Sequence, residues 1–480
     1  MVLQNIIWKE ATEETKELYY RGKALVQSSG DLILVAGANF TTDTYMNLFD
    51  IKTWRKYTTV ENIVLRLEVQ GYGKIILKPY GEAINQVVTN FQCERKQEIS
   101  LSVPKEWNEK VCFEIVTDTE VILYKASYIS KEIENKNVKL AIIICTYKRE
   151  RSLKRLLEEL GNVKINLQEN LEVYVVDNAS EVVLEKETWI HLYQNPNTGG
   201  SGGFGRGMDE IVKHYNEFAA THVLLMDDDV KIQPESVYRL YTLLSYVRIE
   251  YQDEIVAGRM FRMDKQWMQY TAAEIWNGGD LLHIGFEVDM REQENLSDIN
   301  NNSGAEYSGW WFCCIPYEFV KDNRPLPFFL HCDDVEYGLR HGGTPIILNG
   351  IQVWHETYEY RQSPVVAYYD MRNSLIVNAM YGKESAANEM VRWKKAISQK
   401  HVKEEFLCET NLIRAMMDFL RGPKWFFNID LQRYQKKIEK NKRYVKLINK
   451  YYWRIVYIKF RLKEKKIYEI FRKCSHCNMQ

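Results

Sequence analysis

Between residues 60 and 130 apolar and polar positions alternate. Leu65, Leu67 and Val69 interleave with Arg66 and Glu68, and Ile99, Leu101 and Val103 with Glu98, Ser100 and Ser102. A period of two marks half-buried strands. Further strands are predicted at 32–36, 74–77, 111–116 and 121–127, with Gly71-Tyr72-Gly73 and Pro104 as the punctuation between them. Short strands separated by turn signals predict a β-sandwich over residues 1–130. Nothing in this region carries obvious chemistry, so binding or spacing is its expected role.

The polar stretch from Ser130 to Asn137 is the predicted boundary, and beyond it the pattern changes. Lys139 to Thr146 reads as a continuous apolar strand, buried on both faces. A helix follows at 152–160, then a strand at 171–176 ending at Asp177, and a shorter one near 190–194. A Gly-rich turn, a helix around 204–218 and the apolar run Val223 to Met226 complete the series. Strands alternating with helices predict an α/β domain with a mainly parallel sheet over 138–380. Thr146, Asp177, Asn197 and Asp227 each follow a strand, so they are expected along the one rim where ligands bind.

From 381 to 480 the chain is predicted to be helical and basic. Arg433, Lys436, Lys437, Lys440, Lys442, Arg443, Arg454, Lys459, Arg461 and Lys466 interleave with Tyr434, Tyr444, Tyr451, Tyr452, Trp453, Tyr457 and Phe460. Such a helix suits an anionic membrane leaflet, or it presents a solvated face. No nucleic-acid motif accompanies the charge.

At 480 residues the chain exceeds one domain core, and its formal net charge of −1 gives no global pull toward nucleic acid or membrane. Aromatic content, with 31 Tyr and 12 Trp, suits contact with sugars or an interface. The nine Cys lack framework spacing, which points to reduced thiols; Cys474 and Cys477 form a lone C-x-x-C. No secretory h-region and no run of ~18 apolar residues is present. The expected location is cytoplasmic, peripheral on the inner face of the plasma membrane if the basic helix binds lipid. The assembly state is left open, a homo-oligomer among the options.

Four stretches carry candidate chemistry. Asp227-Asp228-Asp229 ends a buried strand, and three like charges there need neutralising; a divalent cation does this and holds a diphosphate as well. A solvated turn is the plainer alternative. In Asn195 to Gly207, glycines let backbone amides approach a phosphate at a helix N-terminus. Gly200, Gly202 and Gly205 also match G-x-G-x-x-G, with Asp227 near the position of a ribose-binding acid, so a dinucleotide enzyme is a rival. Against it, the fingerprint belongs after the first strand, where this chain has Cys145-Thr-Tyr-Lys-Arg-Glu150. Asp333-Asp334 is either a general base at a cleft floor or the acidic first turn of a helix. His355 after Trp354 is either a manganese ligand or a packed histidine.

Taken in order, Thr146-Tyr-Lys-Arg149, Val175-Val-Asp177-Asn178, Asn197-Thr-Gly199-Gly200-Ser-Gly-Gly203, Asp227 to Asp229, Trp310-Trp311, Asp333-Asp334-x-Glu336 and Trp354-His355 resemble the inverting GT-A glycosyltransferases of family two. The nearest resemblance is to bacterial galactofuranosyltransferases, including those that polymerise mycobacterial cell-wall galactan. That family has an N-terminal β-sandwich, and Thr44 to Thr58 looks like its signature. The resemblance covers roughly residues 30–380. It implies that Asp227, Asp229 and His355 hold Mn2+ or Mg2+ on the donor diphosphate. Arg149, Asp177, Asn178, Asn197, Gly199, Gly200 and Asp228 would line the nucleotide-sugar pocket. Trp310 and Trp311 would form an acceptor-sugar platform, and Asp334 the base, with Asp333 as fallback. The implied partners are UDP-galactofuranose and a glycan or glycolipid acceptor. Another donor, rhamnosyl or hexopyranosyl, and a non-catalytic carbohydrate-binding protein are the other readings. Asn178 stands where the polymerising members have Gln, and the C-terminal region departs from theirs, so polymerisation is not carried over.

Overall fold

The computed structural model describes residues 1–82, 84–133, 136–357, 363–439 and 446–475. Its N-terminal part is a 9-stranded sheet folded upon itself around one long strand, Ile63–Pro79. Along one edge that strand pairs with Val87–Ser102. Along the other, its first half pairs with Val121–Ser130 and its second half with Lys110–Thr117. The two strands predicted at 65–69 and 74–77 are therefore one. Gly71, at φ 117°, is a bulge in a continuous strand and not a turn: the register shifts there and a side chain would strike Glu120 O.

The last strand of that sheet ends at Ser130, and the first of the next begins at Leu140. The second sheet is 10-stranded and mixed. Strands Leu140–Thr146, Leu171–Asp177, Ile190–Gln194 and His222–Asp227 run parallel. Phe312–Pro316 joins His222–Asp227 antiparallel, and Val256–Arg262 links Phe312–Pro316 to Ile346–His355. The register aligns Thr146 with Asp177 and Cys145 with Asp227, so the strand-end polar groups share the expected rim.

One apolar core runs through both sheets, from Leu34 and Phe113 to Leu224 and Trp354. Buried hydrogen bonds fix the junction. Arg239 donates to Asn349 O (3.0 Å) and Met46 O (2.6 Å), and to Glu235 (2.9 Å). Asn349 donates to Tyr45 O and Leu48 O, both at 2.9 Å. The segment around Tyr45 is thus the seam against the second sheet.

A second core gathers the C-terminal helices Ala386–Val402, Phe406–Phe419 and Lys446–Ser475 around Pro364–Tyr381. Lys446–Ser475 turns Val456, Phe460, Ile467 and Phe471 inward. Lys440, Lys442, Arg443, Tyr444 and Cys477 lie outside the described residues.

Candidate active site

The aspartate triplet sits where strand His222–Asp227 leaves the sheet, and neighbouring side chains there point in opposite directions. Asp228 turns inward. Thr146 Oγ1 donates to it at 2.6 Å and Arg149 Nη1 at 2.9 Å. Burial pushes Asp228 up to about 6 against the pull of Arg149. The same Arg149 nitrogen lies 3.1 Å from Asp229. Lys148, with φ 59°, makes the turn that brings Arg149 there.

Asp227 and Asp229 face the other way, toward His355. The chain just past the triplet pairs Lys231 with Trp354 and Ile232 with Val353, and that pairing sets the end of strand Ile346–His355 beside Asp229. His355 Nε2 is 3.1 Å from Asp229 and 3.6 Å from Asp227, and one donor atom from each residue lies within 4.8 Å of the others. Ligands about 2.1 Å from an octahedral cation stand roughly 3 Å apart, so the spacing fits. Two carboxylates and an imidazole also fit manganese or magnesium in chemistry.

Helix Gly199–Lys213 begins five residues earlier than the helix expected at 204–218, so the glycine run is helix and not turn. Its glycines make room for protein. A side chain on Gly199 (φ 73°) would fall 2.0 Å from Phe329 O, on Gly203 2.2 Å from Cys145 Sγ, and on Gly207 2.4 Å from Ile143 Cγ2. The crowded glycines are thus not those of the G-x-G-x-x-G match: Gly200 and Gly205 have room for a side chain and Gly202 faces only the Thr198 side chain, while Asp227 belongs to the triad with His355. Asp177 is fully buried, and its carboxylate accepts from the amides of Ala179, Glu181 and Val182 at 2.7–2.8 Å. Asn178 donates to Gly199 O at 3.0 Å and accepts from Asn195 at 2.7 Å, while Asn197 Oδ1 accepts from Gly199 N at 3.1 Å. These residues join the strand ends to the helix N-terminus.

Opposite that N-terminus, helix Asp333–His341 follows a contorted turn. Phe329, His331 and Cys332 have φ of 76°, 61° and 63°. Left-handed non-glycine residues cost about 1–3 kcal/mol each and persist only where surroundings impose them. Ser201 Oγ accepts from Phe329 N at 2.8 Å, docking the turn on the glycine helix. Asp334 Oδ1 accepts from Val335 N at 2.8 Å. Burial pushes Asp333 up to about 6, and burial plus the Asp333 charge pushes Asp334 further.

A cavity of about 460 Å³ joins these parts. Asp227, Gly200, Trp310, Trp311, Asp333 and Asp334 all line it. Trp311 is buried and donates Nε1 to Gly258 O at 2.8 Å, and Trp310 packs edge-on to Phe204 and Tyr337. Two further lining residues were passed over in the sequence. Glu274, from the hairpin Glu274–Asn277 with Asp280–His283, pairs with His283 at 2.9 Å. His331 pairs with Asp370 of helix Pro364–Tyr381. The Gly278-Gly279 turn marks that hairpin in the sequence; nothing local marks His331.

The glycosyl transferase family 2 model matches residues 141–285, and the galactofuranosyltransferase 2 N-terminal model matches residues 8–131. The second sheet thus begins in a stretch that matches a family 2 glycosyltransferase domain, and the N-terminal sheet lies in one that matches a galactofuranosyltransferase 2 N-terminal domain. The chain is similar to galactofuranosyltransferase GlfT2 of Mycobacterium tuberculosis (strain ATCC 25618 / H37Rv), 27% identical over 80% of this chain. GlfT2 of Mycolicibacterium smegmatis (strain ATCC 700084 / mc(2)155) is 24% identical over the same share. The chain spans 66% and 64% of those relatives' lengths. A solved structure of GalNAc-T7 with UDP, GalNAc and Mn2+ aligns over 72% of this chain and 60% of that one, at 10% identity and TM-score 0.39.

Proposed function

We propose that the chain transfers galactofuranose from UDP-galactofuranose, with inversion, to a hydroxyl of a glycan or lipid-linked glycan. The observation that carries this reading is that Asp227, at the end of a strand, and Asp334, at the start of a helix, line one cavity with Trp310 and Trp311. The similarity to galactofuranosyltransferases supports the choice of donor.

An alcohol is a weak nucleophile at neutral pH. As its oxygen bonds to the anomeric carbon, Asp334 accepts its proton; the bond from that carbon to UDP breaks and UDP leaves with the electron pair. A carboxylate whose proton affinity is raised by burial suits the part, and such help contributes about 10²–10⁴-fold. Asp333 is the fallback base. Arg149 and the amide at Gly200 orient the nucleotide diphosphate, with Gly199, Asp177, Asn178, Asn197 and Asp228 shaping the pocket. The tryptophans shape the acceptor side, where aromatic rings pack on sugar C–H groups. A Mn2+ or Mg2+ held by Asp227, Asp229 and His355 would supply charge neutralisation at the departing diphosphate.

The site of action we propose is an anionic leaflet, as on the inner face of the plasma membrane. On helix Lys446–Ser475 the face opposite the core exposes Ile455, Ile458 and Leu462, the last at 80%, beside Lys459 and Lys466. Among the described residues no helix is long and apolar enough to cross a membrane.

Incubating the chain with UDP-galactofuranose, MnCl2 and a synthetic galactofuranosyl acceptor, with products read by mass, tests the reading. Transfer is expected; transfer from a UDP-hexopyranose or a rhamnosyl donor instead overturns the donor assignment. Asp334→Ala should lose at least 10²-fold in turnover yet bind UDP with Mn2+ normally. Asp229→Ala should lose the Mn2+-dependent part of UDP binding. Normal turnover in the first variant, or unchanged UDP affinity in the second, removes that residue from its role.

A further inference from the structure

Two adjacent residues of helix Pro364–Tyr381, Arg372 and Asn373, are fully buried and reach into the turn that precedes the acidic pair. Asn373 Nδ2 lies 2.6 Å from Leu330 O, 2.9 Å from His331 O and 3.3 Å from Phe328 O. Arg372 Nη2 donates to Phe328 O at 2.6 Å, and its Nε donates to Asn373 Oδ1 at 2.8 Å, fixing which way the amide faces. The guanidinium is itself held among Tyr368, Tyr369 and Phe426, with ring centroids 4.9–5.6 Å away. His331, whose imidazole pairs with Asp370 one turn back on the same helix, ties the turn a second time.

The carbonyls gathered here belong to the stretch in which Phe329, His331 and Cys332 are left-handed. Bulky residues do not hold that conformation unaided. Carbonyls buried away from water also need donors. The only donors reaching Phe328 O, Leu330 O and His331 O from side chains, among the described residues, come from Arg372 and Asn373. We propose that Arg372 and Asn373 are positioning residues for Asp334: helix Pro364–Tyr381 templates the turn that delivers this carboxylate to the cavity. The inference rests on Asp334 being the base. It gives helix Pro364–Tyr381, against which the C-terminal helices pack, a part in transfer that is separate from any contact with lipid.

The test uses the full chain with UDP-galactofuranose and a synthetic acceptor. Asn373→Ala should lower kcat about 100-fold, the scale of a misplacement near 1 Å. KM for the donor and the affinity for UDP with Mn2+ should stay within twofold, since the metal triad and the nucleotide pocket sit on other elements. The control is Asn411→Ala. That asparagine is as buried and donates to Pro364 O at 2.7 Å, so its loss loosens the same helices without touching the turn. A kcat within threefold of the parent in Asn373→Ala, or an equal loss in Asn411→Ala, overturns the proposal. Should Asn373→Ala not fold, Asn373→Ser, which keeps one donor, is expected to lose about tenfold by the same reasoning. A parent chain inactive on UDP-galactofuranose would count against the donor reading alone. The clamp is then decided by a crystal structure of Asn373→Ala, where an unchanged turn with Asp334 in place overturns it.

Discussion

His222 opens the strand that ends in the aspartate triplet, and it is buried with its Nδ1 3.0 Å from Thr221 Oγ1. Burial, helped slightly by Lys136, pulls its pKa from 6.5 down to about 4. Between those values the unfolded chain binds a proton that the native state refuses. Stability therefore falls as pH falls through that window, by about 3 kcal/mol once it is crossed. Asp228 has the opposite sign: held up to about 6, it binds its proton earlier in the native state and gains from acid. The total slope mixes the two, so the difference between His222→Gln and the parent isolates the histidine. The variant should lose less stability between pH 6.5 and 4.5 in urea melts; parallel curves would assign the acid sensitivity elsewhere. The same contrast sets what single residues disclose in a sequence. Asp227 and Asp229 announce themselves as a charged tripeptide. His355 lies 126 positions from Asp229, and its own surroundings left it either a manganese ligand or a packed histidine. The resemblance is what joined it to the aspartates. Arg372 and Asn373 were invisible, because a polar group buried inside a helix looks like one facing water until its partners are known.

At the scale of elements, continuous apolar runs were the easiest to read. Leu140–Thr146, Leu171–Asp177 and His222–Asp227 are buried on both faces and stand where the pattern put them. Glycines misled twice, since a residue without a side chain marks a turn, a bulge or a close contact alike. At Gly71 the answer was a bulge. Along Gly199–Lys213 it was a helix pressed against Leu140–Thr146 and the Phe329 turn. Gly207→Ala weighs these effects. Alanine favours a helix interior by about 1 kcal/mol over glycine. Its methyl, however, would sit 2.4 Å from Ile143 Cγ2, a branched and fully buried side chain that cannot swing clear. Overpacking of this kind costs about 1–3 kcal/mol. The net expectation is a loss of about 1 kcal/mol in denaturant melts. A stabilised variant would mean that the helix stands further from the strand.

For the whole molecule, composition and periodicity separated β, α/β and helical regions. They did not show how closely these are joined. The N-terminal sheet shares a core with the second sheet, and the helix Pro364–Tyr381 shapes the turn before Asp333 and Asp334. What faces outward is more legible, because an exposed stripe keeps its helical period. On Lys446–Ser475, Ile455, Leu462, Lys459 and Lys466 fall within a narrow arc, on a different side of the helix from Val456, Phe460, Ile467 and Phe471. Among the described residues Ile455 and Leu462 stay exposed, and an anionic leaflet would satisfy both kinds of residue in the arc. Each basic residue near such a surface contributes about 1 kcal/mol. Lys459→Gln with Lys466→Gln should therefore weaken binding to phosphatidylserine-containing vesicles about 30-fold at low salt. Leu462→Ser should weaken it without changing its salt dependence, because that residue contributes area and not charge. Sedimentation with vesicles, with and without phosphatidylserine, reads both effects. If the parent binds neither kind of vesicle, or the double variant binds as the parent does, the stripe serves another purpose. Transfer to a soluble acceptor should survive all three substitutions, since none of these side chains lines the cavity.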